Sequence, residues 1–313
     1  MTTTDKQHVD PALWALVDGF PPIDVSAETL AGFRAAFAQM SPMPDPSTHE
    51  DVRIGTVMVP GGAAPIRCLL YAPADGESAG ALLHVHGGGY VMGSPEMDVA
   101  RNLALVRATR CVILSVDYRL APEHPYPAAL DDCHAALAWL ATQASRLKFP
   151  AGRIGLIGES AGAGLAAALA LVVRDQHAQP LCCQVLIYPM LMPPDHSADT
   201  LAPDARTGQF IWTRASNAWC WSALRSGAAS AAAPVAGLAT DLSGLPPAFI
   251  AVGDLDLFVH DNLAFAGRLL RAGVPVEAHV YPGAIHGFDR AVGAPVSQRF
   301  SRTLEEFIQR SLA

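Results

Sequence analysis

From residue 81 onward, short and mostly apolar runs alternate with longer stretches whose apolar residues recur every three or four. The short runs cover residues 81–85, 111–116, 154–157, 184–187, 249–252 and 276–281. Runs apolar on both faces read as parallel strands covered by helices on each side, and the alternation reads as a series of βαβ units. Such a sheet places its chemistry beyond the carboxyl ends of its strands. Upstream, residues 52–59 and 66–71 alternate apolar and polar and are joined through Pro60, Gly61 and Gly62, which predicts an antiparallel hairpin leading into the sheet.

The rhythm breaks twice. Residues 1–50 carry two short helical patterns, over 11–17 and 28–40, ahead of the breaker-rich stretch 41–47, and read as an appendage to the core. Between about residues 190 and 245 the pattern becomes Pro-punctuated, with one aromatic-rich helical stretch over 209–224, and reads as an insertion over the site. Within it, the run of small residues 227–233 predicts a flexible loop. The expected organisation is one α/β domain over 51–313, carrying the insertion and preceded by the N-terminal appendage.

Composition narrows the function classes. Only 16% of the 313 residues are charged while 51% are hydrophobic, as in a well-packed globular protein. A net charge of −8 with no run of Lys or Arg argues against nucleic acid and anionic membrane surfaces as partners. No apolar run is long enough to span a bilayer and the first ten residues lack a secretory pattern, so the expected location is cytoplasmic. The six cysteines show no CxxC spacing and read as buried free thiols.

The chemistry concentrates in four places. Gly158, Glu159, Ser160, Ala161 and Gly162 form a GxSxG between a strand and an Ala-rich helix, the setting of a nucleophile elbow in which Ser160 is held in a strained turn. His86, Gly87, Gly88, Gly89 and Tyr90 follow the strand over 81–85; three successive glycines make sense where backbone amides must approach a developing oxyanion. Gly88, Gly89 and Ala161 are the expected donors, with His86, Gly87 and Glu159 in support. A carboxylate should follow, then a histidine, each on a loop after a late strand. Asp254 and Asp256 both follow the run 249–252, and His286 follows the run 276–281. His286 would take the Ser160 proton and return it to the leaving group while the acid fixes its tautomer. His84 and His86 lie two apart without a third ligand in sequence, so no metal and no cofactor is called for.

With HGGG, GESAG, Asp and His in this order, the chain resembles the bacterial hormone-sensitive-lipase-like (family IV) carboxylesterases of the α/β-hydrolase superfamily, over nearly its whole length. The most specific stretch is residues 117–127, DYRLAPEHPYP, continuing AALDD. The resemblance implies the α/β-hydrolase fold, a mostly parallel sheet flanked by helices, with a helical cap built from residues 1–50 and the insertion. It implies Asp117, Arg119 and Glu123 as supports of the oxyanion loop, and a homodimer. Phe210, Trp212, Trp219 and Trp221 would line a substrate pocket or form the cap's own core. The family's Asp-Pro-Leu reads Asp256, Leu257, Phe258 here, without the proline; alignment of the flanking strand and helix places the acid at Asp256, with Asp254 as the alternative. The implied activity is hydrolysis of short to medium acyl esters of small uncharged alcohols through an acyl-enzyme. An amide-directed hydrolase on the same triad, and more distantly a receptor that keeps only the pocket, are the rival readings.

Overall fold

The computed structural model describes residues 6–20, 22–43, 45, 48–227 and 235–313. Eight strands, β1 (Val52–Val59), β2 (Ile66–Pro73), β3 (Ala81–Val85), β4 (Val112–Val116), β5 (Ile154–Glu159), β6 (Gln184–Ile187), β7 (Ala248–Gly253) and β8 (Val276–Tyr281), form one sheet in the order β1-β2-β4-β3-β5-β6-β7-β8. β1 pairs antiparallel with β2, and β2 antiparallel with β4; every later pairing is parallel. The central strands β3, β4, β5, β6 and β7 are buried at every position, as their mostly apolar runs predict, whereas edge strand β8 alternates.

The helices are α1 (Trp14–Gly19), α2 (Leu30–Met40), α3 (Val99–Thr109), α4 (Ala128–Thr142), α5 (Ala144–Leu147), α6 (Ala161–Asp175), α7 (Ala198–Leu201), α8 (Arg214–Leu224), α9 (Val259–Arg271) and α10 (Pro295–Leu312). Strand side chains divide by parity: Leu83 and Val85 join the core under α4, α6 and α9, while Leu82 joins the core under α3 and α10. Phe300, Leu304 and Ile308 of α10, spaced by four, are all buried; each such side chain contributes roughly 1.5–3 kcal/mol by leaving water. Among the described residues, no helix is long and apolar enough to cross a membrane. All six cysteines are free thiols, five of them buried.

The N-terminal segment does two things. Val9, Leu13, Leu16 and Val17 belong to the second core cluster, and the Asp10 amide donates to the Gly283 carbonyl at 2.9 Å. This stretch therefore packs against the sheet domain, while Leu16 and Phe20 also line a cavity. Farther along, Ile23 forms a bridge with Trp212, its amide donating to the Ile211 carbonyl at 2.8 Å, and the Val25 amide donates to Ser216 Oγ at 2.9 Å. The segment before β1 and the insertion between β6 and β7 therefore meet above the carboxyl ends of the strands. The flexible loop expected over 227–233 lies outside the described residues from 228 onward.

Candidate active site

Ser160 stands between β5 and α6 at φ +53°, ψ −118°, a region L residues avoid unless the surroundings hold them there. The surroundings do so. Its amide donates to the Ile187 carbonyl and its carbonyl accepts from the Met190 amide, both at 2.9 Å. Gly162 abuts the end of β3 so closely that a Cβ would lie 2.0 Å from the Val85 carbonyl oxygen, so the motif's last glycine is dictated by packing. Ala161, fully buried, opens α6, so its amide belongs to a first turn whose N–H groups lack intrahelical partners.

His286 follows β8 and is 8% exposed. Its Nδ1 lies 2.8 Å from Asp256 Oδ2, whose other oxygen accepts from the Phe258 amide at 2.9 Å. An ionised carboxylate only accepts, so Nδ1 carries the proton and Nε2 is left as an acceptor. Tyr188 and Phe258 pack against the imidazole at centroid distances of 4.7 and 5.4 Å and hold its plane. Asp254 serves differently: its Oδ1 accepts from the Gly283 amide at 2.7 Å, fixing the turn that precedes the histidine. Of the two acids open in the sequence, the fold brings Asp256 to His286.

The glycine loop is held from beneath. His86 stacks on Tyr118 with centroids 4.2 Å apart, Tyr118 Oη donates to the His86 carbonyl at 2.9 Å, and His86 Nδ1 donates to the Gly87 carbonyl at 2.8 Å. Burial pushes the His86 pKa down, so the ring is neutral. His86 and His84 have separate partners and do not converge on one point. Gly89, at φ +62°, lies under Trp212; a Cβ there would sit 2.5 Å from the indole.

Of the signature segment's three charged residues, Glu123 reaches this region through Arg34, while Arg119 and Asp117 pair elsewhere. Arg34 pairs with Glu123 at 2.7 Å and donates to the Val91 and Ala121 carbonyls at 2.8 and 3.0 Å, tying α2 to the loop. Arg119 pairs with Asp132 of α4 at 2.8 Å, and Asp117 with Arg67 at 2.7 Å. Tyr118, the residue of this segment that touches His86 directly, was visible in the sequence only as part of the motif.

Glu159 is buried, not a solvated turn residue. It receives Arg101 and lies 3.1 Å from His84 Nε2. Arg101 also donates to Asp98 at 3.1 Å and to Asp289 at 2.7 Å, and Asp289 accepts the Tyr188 hydroxyl at 2.6 Å. Burial opposes ionisation of Asp98, but Arg290 and Arg101 outweigh it and hold its carboxyl at about 2. His84, Asp98 and Glu159 bring ligand-type atoms within 4.8 Å of one another, yet the Arg101 guanidinium already supplies the positive charge this cluster calls for.

Gly87, Gly88, Gly89, Glu159, Ser160 and His286 line one cavity of about 680 Å³, counting its open mouth. Its remaining walls are mostly apolar: Leu16, Phe20, Ile23 and Phe37 from the N-terminal segment, Met92 and Met97, and Tyr188, Ile211 and Trp212. Of the four aromatics singled out in the insertion, Trp212 lines this cavity, Trp221 lines a separate smaller one, and Phe210 and Trp219 pack into the core clusters.

The α/β hydrolase fold family matches residues 82–290, two-thirds of the chain, from within β3 to beyond His286. The chain belongs to the hormone-sensitive-lipase-like branch of the α/β-hydrolase fold family. Among relatives of this hydrolase, esterase LipI of Mycobacterium tuberculosis is 34% identical over 292 residues, covering 92% of this chain and 90% of the relative. Carboxylesterase NlhH of the same species is 34% identical over 296 residues, covering 91% and 90%. Among solved structures, a bacterial heroin esterase superposes with a TM-score of 0.87 at 29% identity over 98% of this chain and 99% of that one. Esterase LipW from Mycobacterium marinum superposes at 0.86 with 32% identity over 97% and 96%.

Proposed function

We propose that this hydrolase cleaves short to medium acyl esters of small uncharged alcohols through an acyl-enzyme on Ser160. That it is a carboxylic ester hydrolase rests on its family and on esterases matched over nine-tenths of its length. The residue roles and acyl range are our reading, and the observation that carries them is the 2.8 Å contact between Asp256 and Nδ1 of His286, which lines one cavity with Ser160. In this reading, His286 Nε2 takes the Ser160 proton as Oγ attacks the ester carbonyl. The amides of Gly88, Gly89 and Ala161 receive the developing oxyanion, a contribution of about 3 kcal/mol per donor. His286 then protonates the leaving alcohol, and water repeats the sequence to release the acid.

An apolar, capped cavity supports a short acyl chain and an uncharged substrate. Six free thiols support a reducing, cytoplasmic setting, and the net charge of −8 supports the absence of nucleic-acid partners. A homodimer is part of the same proposal, supported by apolar side chains exposed on edge strand β8 (Val280) and α9 (Leu263, Leu270), and sedimentation of the purified chain tests it. Hydrolysis of p-nitrophenyl esters from acetate to palmitate, by wild type and Ser160→Ala, tests the whole. The expected result is a maximum at short chains that vanishes in the variant. A maximum at palmitate, or an active Ser160→Ala enzyme, would overturn it.

A further inference from the structure

The geometry points to Arg101 as a positioning residue for the reaction: one buried guanidinium that clamps the nucleophile elbow to the histidine loop and neutralises the carboxylate beside the nucleophile. The inference rests on the roles of Ser160 and His286 proposed above. Arg101 projects from α3, outside every catalytic motif, and its side chain is 15% exposed. It bonds Glu159, the residue before Ser160, through Nη1, and Asp289, three residues after His286, through Nη2 at 2.7 Å. Asp289 in turn accepts the hydroxyl of Tyr188, whose ring packs on the His286 imidazole at 4.7 Å. The ends of β5, β6 and β8 are thus joined through a single side chain, and a planar fork of donors suits that task where a lysine's point charge does not.

Charge gives the clamp a second consequence. Three carboxylates, Asp98, Glu159 and Asp289, meet two guanidinium groups, Arg101 and Arg290. The bonds of Arg290 run to Asp98 and to the Met97 carbonyl, so Arg101 is the arginine bonded to Glu159 and Asp289, with His84 the other donor to Glu159. Other groups facing the His286 ring are Asp256 from the β7–α9 loop and Tyr188 from the end of β6, with Ser160 and Arg290 on the walls of the shared cavity. Without Arg101, uncompensated negative charge behind the elbow opposes the oxyanion and favours an imidazolium over the neutral base. Activity that needs the neutral base then begins at higher pH.

The test is the pH profile of kcat/KM for p-nitrophenyl butyrate in Arg101→Met, Arg101→Lys and the double variant Arg101→Met/Glu159→Gln, with Ser160→Ala as control. In Arg101→Met, kcat falls about 100-fold with KM within about threefold, since small misplacements of reacting groups carry losses of that order. Its acid limb moves up by roughly half to one pH unit, as expected when an imidazolium loses a nearby like charge. Arg101→Lys keeps the limb in place and loses about tenfold in kcat through the missing fork. The double variant returns the limb toward wild type, because one of the stranded carboxylates is gone. An unmoved limb in Arg101→Met overturns the proposal, as does wild-type kcat in Arg101→Lys; the lysine and double variants decide the matter should the methionine variant not fold. A Ser160→Ala enzyme that still turns over would instead strike the underlying mechanism, so the two failures are separable.

Discussion

Replacing Asp256 by Asn removes one charge and nothing of the side chain's size, and the consequence can be worked out from two bonds. In the native protein, Asp256 Oδ2 faces His286 Nδ1 at 2.8 Å and Oδ1 faces the Phe258 amide at 2.9 Å, with the carboxylate fully buried. An asparagine that keeps its oxygen toward Phe258 turns its NH₂ toward Nδ1, which must give up its proton and accept. The proton then sits on Nε2, where the base should be, and Ser160 has no acceptor. The opposite orientation sets NH₂ against the Phe258 N–H and strands a buried donor, at a cost of about 1–3 kcal/mol. The first arrangement prevails, and kcat falls by about 10⁴, some 5.5 kcal/mol in the barrier. Asp254→Asn differs because its amide oxygen still accepts from Gly283, so the change stays within a fewfold. The assay is kcat/KM on p-nitrophenyl butyrate, with thermal melting to show that both variants fold. A loss of orders of magnitude in Asp254→Asn alongside near-native Asp256→Asn would refute the reasoning.

Other parts of the structure give sharp expectations. Gly162→Ala forces a methyl to within 2.0 Å of the Val85 carbonyl oxygen; overpacking of this kind costs roughly 1–3 kcal/mol, and both melting temperature and ester turnover should fall. Unimpaired turnover would show that the elbow yields more readily than its packing implies. Tyr118→Phe keeps the stack on His86 but removes the 2.9 Å bond to its carbonyl, with an expected loss of about 1 kcal/mol in stability, read by urea unfolding, and a drop in kcat larger than any change in KM. Asp98 ionises more readily folded than unfolded, so its contribution is present above pH 4 and is lost as pH falls from about 4 toward about 2. Asp98→Asn, monitored by tryptophan fluorescence, should therefore flatten the acid limb of the stability profile; an unchanged limb would assign acid unfolding to other groups.

Much of this arrangement is legible in the sequence, for identifiable reasons. A parallel strand covered on both faces is mostly apolar, so β3 to β7 announce themselves as short apolar runs, off by a residue or two at their ends. The elbow and His286 are legible because the spacing of small residues around them is fixed by packing, as at Gly162. The acid was open between Asp254 and Asp256 because two residues on one loop differ only in which way the loop turns. Arg101 gave no signal: an arginine on an amphipathic helix reads as solvent face, and its partners Glu159 and Asp289 lie 58 and 188 residues away. The role of Leu13 was hidden likewise, since burial of a short N-terminal helix depends on the distant turn at Gly283 that receives it. In the insertion, aromatic spacing marked a helix but not which ring faces the cavity, and Trp212 is assigned there only by its place over Gly89.

The most direct test of the central claim is covalent. Incubation with a fluorophosphonate ester, followed by digestion and mass spectrometry, reads out which side chain acts as nucleophile and whether its base is in place. The account predicts one phosphonyl group per chain on the peptide bearing Ser160, no label in Ser160→Ala, and labelling slowed by orders of magnitude in His286→Ala. A label on any other residue, or full-rate labelling without His286, would contradict it.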